Sequence, residues 1–154
     1  MQFLKDVVSN PFFVTAAVGW LVAQLLKTGI YGFLNRKFVM ERLVGSGGMP
    51  SSHSATVCAL ATAAAYNYGA QSYEFAIAVI LAIIVMYDAM GVRREAGIQA
   101  NVINSMMKTF EEIGRGEFST EKTLNEFVGH TPLQVLIGAL LGIATATLMW
   151  TFIY

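Results

Sequence analysis

The sequence predicts an all-α fold: a polytopic membrane helix bundle of about four transmembrane helices plus one amphipathic interfacial helix. Three observations carry that prediction. Of 154 residues, 55% are hydrophobic and only 13% charged, where an ordinary soluble domain carries about a quarter charged residues. Apolar runs near the length that crosses a bilayer, roughly 17 to 25 residues, recur along the chain. Eight of the ten Lys and Arg residues fall in two of the connections between those runs, the asymmetry that orients a membrane protein. The length suits one domain, so residues 1–154 are expected to form a single integral membrane domain.

The spans follow in order. The first is expected over 11–34, with Pro11 placed to open a helix. The second, over 54–68, is short and rich in alanine. The third, over 74–90, is strongly apolar, and Gly69-Ala-Gln-Ser72 makes a tight turn between the two. The fourth runs over 132–154. Between the third and fourth, residues 95–112 mix Gln99, Asn101, Asn104 and Lys108 with Ile98, Val102, Ile103, Met106 and Phe110. The apolar residues recur at helical spacing, which predicts an amphipathic helix. Two placements are open for it: lying in the membrane interface, or covering the bundle with its apolar face. Residues 114–123 read as a charged connector.

Arg36, Lys37 and Arg42 lie in the first loop, and Arg93, Arg94, Lys108, Arg115 and Lys122 in the third. Both loops are therefore expected on the cytoplasmic side of a bacterial-type plasma membrane, with both termini outside. No cleavable signal peptide is read at the N-terminus. The balanced net charge gives no reason to expect a nucleic-acid partner; membrane lipids are the expected surroundings. Cys58 is the only cysteine, in an alanine-rich run, and reads as a packing thiol.

Three polar segments stand out: Gly45-Ser-Gly-Gly-Met-Pro-Ser-Ser-His-Ser-Ala55, Asp88-Ala-Met-Gly-Val-Arg-Arg-Glu-Ala-Gly97 and Gly129-His-Thr-Pro-Leu-Gln134. His53 and Asp88 are separated by a down-and-back pair of spans, and no span separates Asp88 from His130. Topology alone thus brings the two histidines to one membrane face. In the first segment, glycines such as Gly48 let backbone approach a ligand. Ser51 or Ser52 can cap the next helix, and the free N–H groups at its start favour an anion. The plainer alternative is a flexible loop before a capped helix. Asp88 ends an apolar run, where an acid pairs or works; an interfacial Asp–Arg pair is its plainer role. Arg93 and Arg94 offer planar forks suited to phosphate. Lys27 lies inside the first span, with Gln24 and Tyr31 on its face. It either snorkels to the interface or turns its charge to the polar cluster. Gly138-Ala-Leu-Leu-Gly142 permits close helix packing, within the chain or across a homo-oligomer seam.

Three blocks, Gly47-Gly-Met-Pro-Ser-Ser-His-Ser-Ala55, Asp88-Ala-Met-Gly-Val-Arg-Arg94 and Gly129-His-Thr-Pro-Leu-Gln-Val135, together resemble the divergent branch of the type-2 phosphatidic acid phosphatase family. This is the group related to acid phosphatases and vanadium-dependent haloperoxidases, and the resemblance covers nearly the whole chain. It implies that His53, in Pro50-Ser51-Ser52-His53, is a general acid, with Ser52 where the wider family has glycine. It implies that His130 is the nucleophile that attacks phosphorus. Lys27 and Arg36 look like a stretched form of the family's lysine–arginine motif. The family's Ser-Arg pair would fall on Thr123 and Leu124, and its orienting acid on the amide Gln134. Asp88, or Glu126, would then have to bring the carboxylate, and Arg93 and Arg94 the missing arginine.

The expectation is a metal-independent hydrolase of a lipid phosphate or pyrophosphate, working through a phosphohistidine and needing no cofactor. His130, His53 and Asp88 form its catalytic set. Arg93, Arg94, Lys27, Ser51, Ser52 and Gly48 hold phosphate, and Gln134 orients His130. Two histidines and one cysteine make no zinc set, and no Cys-x5-Arg loop is present. The alternatives are a non-catalytic phosphate- or phospholipid-binding protein and a transporter of phosphorylated lipid or small anions.

Overall fold

Four of the five long helices among the described residues begin where a short polar side chain takes up otherwise unbonded N–H groups. The computed structural model describes residues 1–36, 48–113 and 129–154, with 34–35, 92–94 and 111–112 as backbone only. Its helices are α1 (Gln2–Val8), α2 (Pro11–Asn35), α3 (Ser52–Tyr68), α4 (Tyr73–Met90), α5 (Val92–Glu112) and α6 (Pro132–Phe152). Among the described residues there is no strand. Asn10 Oδ1 accepts from the N–H groups of Phe12 (2.9 Å) and Phe13 (3.2 Å), and Pro11 supplies the first helical residue of α2. Ser51 caps α3, Ser72 caps α4, and Thr131 caps α6. Gly69, at φ 83°, turns the chain between α3 and α4.

The bundle is assembled around α3, which packs on α2, α4 and α6. The reason is side-chain size. A Cβ on Gly19 of α2 would lie 3.0 Å from Ala59 Cβ and 3.1 Å from Ala55 O. Cβ atoms on Gly138 and Gly142 of α6 would run into the backbone carbonyls of Ser51 and Ala55. On the third side of α3, Val57 and Cys58 meet Ala82 of α4, and Ala61 and Ala64 meet Ala78. Large apolar side chains point the other way: Ile77, Ile80 and Ile84 of α4, Leu136 and Leu140 of α6, and Leu21 and Leu25 of α2 are all exposed. Alanine and glycine inside with isoleucine and leucine outside is the arrangement a bilayer selects. Lipid tails solvate the large side chains, and close backbone approach holds the helices together. Three buried threonine hydroxyls are satisfied within their own helices: Thr15 to Pro11 O (2.7 Å), Thr28 to Gln24 O (2.9 Å) and Thr145 to Leu141 O (2.8 Å).

Among the described residues, three stretches are long and apolar enough to cross a membrane: Pro11–Phe33, Tyr73–Phe110 and Pro132–Phe152. The chain is an all-α integral membrane protein. The 17 residues of α3 reach about 26 Å at 1.5 Å per residue, close to a hydrocarbon core. Enclosed by its neighbours, α3 needs no broad apolar face toward lipid. Gly138 and Gly142 lie against α3, the internal one of the two packings their spacing permits.

Several helix ends differ from the sequence reading. Helix α3 begins at Ser52 rather than at 54, because Ser51 is the cap. Helix α5 begins at Val92 rather than at 95, one residue after α4 ends, so Arg93 and Arg94 stand in its first turn and not in a loop. The short α1 was not anticipated. On α5 the buried positions are Gly97, Ala100 and Asn104, while Ile98, Val102, Met106 and Phe110 are exposed along a shallow groove. Among the described residues, its large apolar side chains are exposed rather than packed on the bundle. The charged connector at 114–123 lies outside the described residues.

Candidate functional site

The two ends of the bundle differ in chemistry. At one end Phe12 stacks on Tyr68 (ring centroids 5.3 Å), and Trp150 meets Phe12 (5.6 Å) and Tyr154 (5.3 Å). Such rings suit the level of the headgroups. At the other end the three polar segments converge.

Helix α3 brings the first set. Its cap Ser51 is fully buried and accepts from Ser54 N–H (3.4 Å). The N–H of Ser51 donates to Gln134 O of α6 (3.1 Å), which ties the two segments together. Ser52 is buried, and its Oγ accepts from Lys27 Nζ (3.5 Å). Gly48, at φ 85°, passes over Lys27: a Cβ there would lie 3.5 Å from Lys27 Cγ and 3.6 Å from Cδ. Of the two readings of Lys27, the geometry is the inward one, with 4% of the residue exposed and the ammonium at the start of α3. Gln24, one turn deeper on the same face, is equally buried. His53 stands in the first turn of α3, half-buried.

Helix α6 brings the second set. His130 is 2% exposed, and its N–H donates to Ala89 O in the last turn of α4 (2.9 Å). Its Nδ1 lies 3.3 Å from Gln134 Oε1. The same oxygen accepts from Thr131 N–H (3.0 Å), while Gln134 N–H donates back to Thr131 Oγ1 (3.4 Å). This is a reciprocal capping box, and it holds the Gln134 amide in one orientation. The rings of His53 and His130 stand edge to face, with centroids 5.8 Å apart.

Lys27, Gly48, Ser51, Ser52, His53, His130 and Gln134 are therefore joined by contacts the structure describes. Asp88 is half-buried and immediately precedes Ala89, whose carbonyl anchors His130. Arg93 and Arg94 follow within a turn of α5, but their side chains lie outside the described residues, as do Lys37, Arg42, Arg115, Lys122, Thr123, Leu124 and Glu126. Arg36 ends α2 in the left-handed conformation and is exposed. Among the described residues no three His, Cys, Asp or Glu side chains gather to hold a metal ion. What these residues can do chemically is bind an anion. A buried ammonium, hydroxyls and the N-terminal N–H groups of α3 meet beside two imidazoles.

Sequence reasoning missed two participants. Thr131 was readable, because Thr131-Pro-Leu-Gln134 has the spacing of a capping box. Ser54 was not. It is fully buried next to His53, and its Oγ has no hydrogen-bond partner among the described residues. Every apolar or alanine-lined position of α3 looked equally suited to packing. Cys58 is a packing residue as expected, buried with its Sγ 3.9 Å from Met86 Sδ.

No solved structure matches the chain significantly. A membrane protein of Bacillus subtilis strain 168, YuiD, described as uncharacterized, is 38% identical over 146 residues, covering 90% of this chain and 92% of that protein. The family model described as the divergent PAP2 family matches residues 8–145, a stretch that holds both histidines, so this chain belongs to the divergent PAP2 family.

Proposed function

We propose that the protein is a membrane-embedded, metal-independent phosphatase that hydrolyses a lipid phosphate or pyrophosphate through a phosphohistidine intermediate. The observation that carries this reading is the meeting of the chain's two histidines, 5.8 Å apart between ring centroids, beside the N-terminus of α3 and the buried Lys27. Membership of a phosphatase-related family supports it. An anion drawn to that helix start would be held by Lys27, Ser51, Ser52 and the backbone of Gly48, with Arg93 and Arg94 adding bidentate contacts.

In the first step Nε2 of His130 attacks phosphorus and the bond to the leaving oxygen breaks. His53 gives that oxygen a proton. In the second step His53 takes a proton from water as the water attacks phosphorus, the P–N bond breaks, and its electron pair returns to His130. Gln134 orients the His130 ring throughout, and Asp88 supplies a carboxylate at the same end of the bundle. Preorganised cations and N–H groups stabilise charge on the phosphoryl oxygens. The histidine end belongs to the cytoplasmic face, so a lipid substrate reaches it from the inner headgroup layer.

A second reading is favoured by one specific observation. The partner of His130 Nδ1 is an amide, so a phosphate-binding protein without turnover fits the same geometry. Phosphate release separates the two. Purified protein in lipid–detergent micelles with EDTA should release phosphate from lipid phosphates or pyrophosphates, and His130→Ala should not. Phosphate binding without release by the wild type would establish the second reading.

A further inference from the structure

Helix α5 carries an apolar face away from the bundle, and the threading of the chain limits what can cover it. Among the described helices α5 packs only on α4, which ends one residue before it begins. Its 21 residues include six charged ones, Arg93, Arg94, Glu95, Lys108, Glu111 and Glu112, against Glu74 and Asp88 in the 18 residues of α4. Within the stretch Tyr73–Phe110, α4 is therefore the part that crosses the bilayer, because charges in the hydrocarbon are costly. Both ends of α5 also stay at the histidine end. Its start follows α4 there, and α6 sets out from the same place, with His130 N–H on Ala89 O (2.9 Å). Between α5 and α6, residues 114–128 hold Arg115, Glu117, Glu121, Lys122 and Glu126 and no apolar run long enough to return across a membrane.

Around its axis α5 meets three different surroundings. Gly97, Ala100 and Asn104 are buried on one face, toward the protein. Asn101, Ser105 and Lys108 are exposed on a second, and the Ser105 hydroxyl donates to Asn101 O (2.9 Å). Val102, Met106 and Phe110, with Ile103 beside them, are exposed on a third. At about 100° per residue this apolar face lies roughly opposite the buried one. Glu95 and Gln99 interrupt it in the first two turns, so it is unbroken from Val102 onward. The lipid-facing surface of the bundle leads straight to it, since Ile80, Ile84 and Tyr87 are exposed on α4 and a single residue, Gly91, joins the helices. We propose that α5 is an in-plane membrane anchor at the histidine end. Val102, Met106 and Phe110 sit among the acyl chains of that leaflet, and Asn101, Ser105 and Lys108 face water. Three basic and three acidic residues cancel along the helix, so apolar burial holds the seat and attraction to anionic headgroups does not. This anchoring is independent of whether the histidines hydrolyse phosphate.

The test is a nitroxide scan of the full chain in phosphatidylcholine vesicles, one cysteine at a time. Val102→Cys, Met106→Cys and Phe110→Cys probe the apolar face, and Asn101→Cys, Ser105→Cys and Lys108→Cys the polar one. The native Cys58 is buried and stays unlabelled. Collision with oxygen, which concentrates in lipid, should peak at the first three positions, and collision with a water-soluble nickel chelate at the other three. The ratio of the two should place the first three labels roughly 5 to 10 Å below the headgroup boundary. Replacing a third of the lipid by phosphatidylglycerol should leave the pattern unchanged. Nickel collision at Val102, Met106 and Phe110 as strong as at Lys108 would leave that face in water and overturn the proposal. Weak collision with both reagents at those three positions would overturn it too, because protein would then cover the face. Spin–spin broadening that fades on dilution with unlabelled protein would name a second copy of the chain as that cover. A pattern that appears only with phosphatidylglycerol would overturn the apolar basis of the seat.

Discussion

Lys27 shows how much a single side chain can depend on context. Its ammonium lies at the start of α3 and its aliphatic stem lies beneath Gly48, so removing the charge while keeping the stem isolates the electrostatic contribution. Lys27→Met should weaken binding of inorganic phosphate roughly ten- to hundredfold, the worth of a charge-assisted hydrogen bond. Titration calorimetry, with helix content measured beside it, checks this. An unchanged Kd would remove Lys27 from the anion site. The sequence put Lys27, Gln24 and Tyr31 on one face of α2, but which way that face turned was not legible, because lipid and a polar cluster are equally consistent with a lysine inside a span. His53 and His130 were easier, because counting spans places both at one membrane depth. Ser54 was invisible, because nothing local marks a helix serine whose hydroxyl is buried without a partner among the described residues.

At the scale of the helix, α3 is held by contacts between backbones rather than by large side chains. Gly142→Ala forces a methyl group against the Ala55 carbonyl and should cost about 1–3 kcal/mol, the range for overpacking a tight contact. Gly29→Ala is the control, since a Cβ there meets nothing within 4 Å. Unfolding in mixed micelles should show the first variant destabilised and the second unchanged or slightly more stable. Equal stability of the two would mean that the α3–α6 seam is not as close as described. The glycine spacing on α6 was plain in the sequence, but its partner was not, since an internal helix and a second copy demand the same small residues. Helix boundaries came within a few residues where a Ser, Thr, Asn or Pro marks the start. Helix α1, seven residues with no side-chain cap, carries no such mark. The start of α5 was misplaced because a single residue, Gly91, separates it from α4.

At the scale of the molecule, two chemically distinct ends follow from the threading of the chain. Aromatic rings cluster at the end where α2 begins and α3 and α6 finish, and the histidines lie where α3 and α6 begin. The proposed function puts the histidine end on the cytoplasmic side, following the distribution of Lys and Arg along the sequence. With the native Cys58 buried, single cysteines report sidedness cleanly. In right-side-out vesicles an impermeant maleimide should label Ala70→Cys and spare Met49→Cys, with the pattern reversed in inverted vesicles. The opposite labelling would turn the bundle over and bring substrate from the outer leaflet. The all-α membrane architecture was legible from composition and run length, because a bilayer constrains both strongly. The meeting of the histidines in one contact needed the third dimension, where small residues on α3 let α6 come close enough.

The central claim is that His130 is the atom donor to phosphorus, and trapping the intermediate tests it most directly. The protein would be mixed with a lipid diphosphate labelled in its terminal phosphate, quenched in alkali within milliseconds, digested and sequenced by mass spectrometry. Phosphate should appear on His130 in the wild type and not in His130→Ala. Turnover by the wild type with no phosphate on His130 at any time, or turnover that survives in His130→Ala, would contradict it.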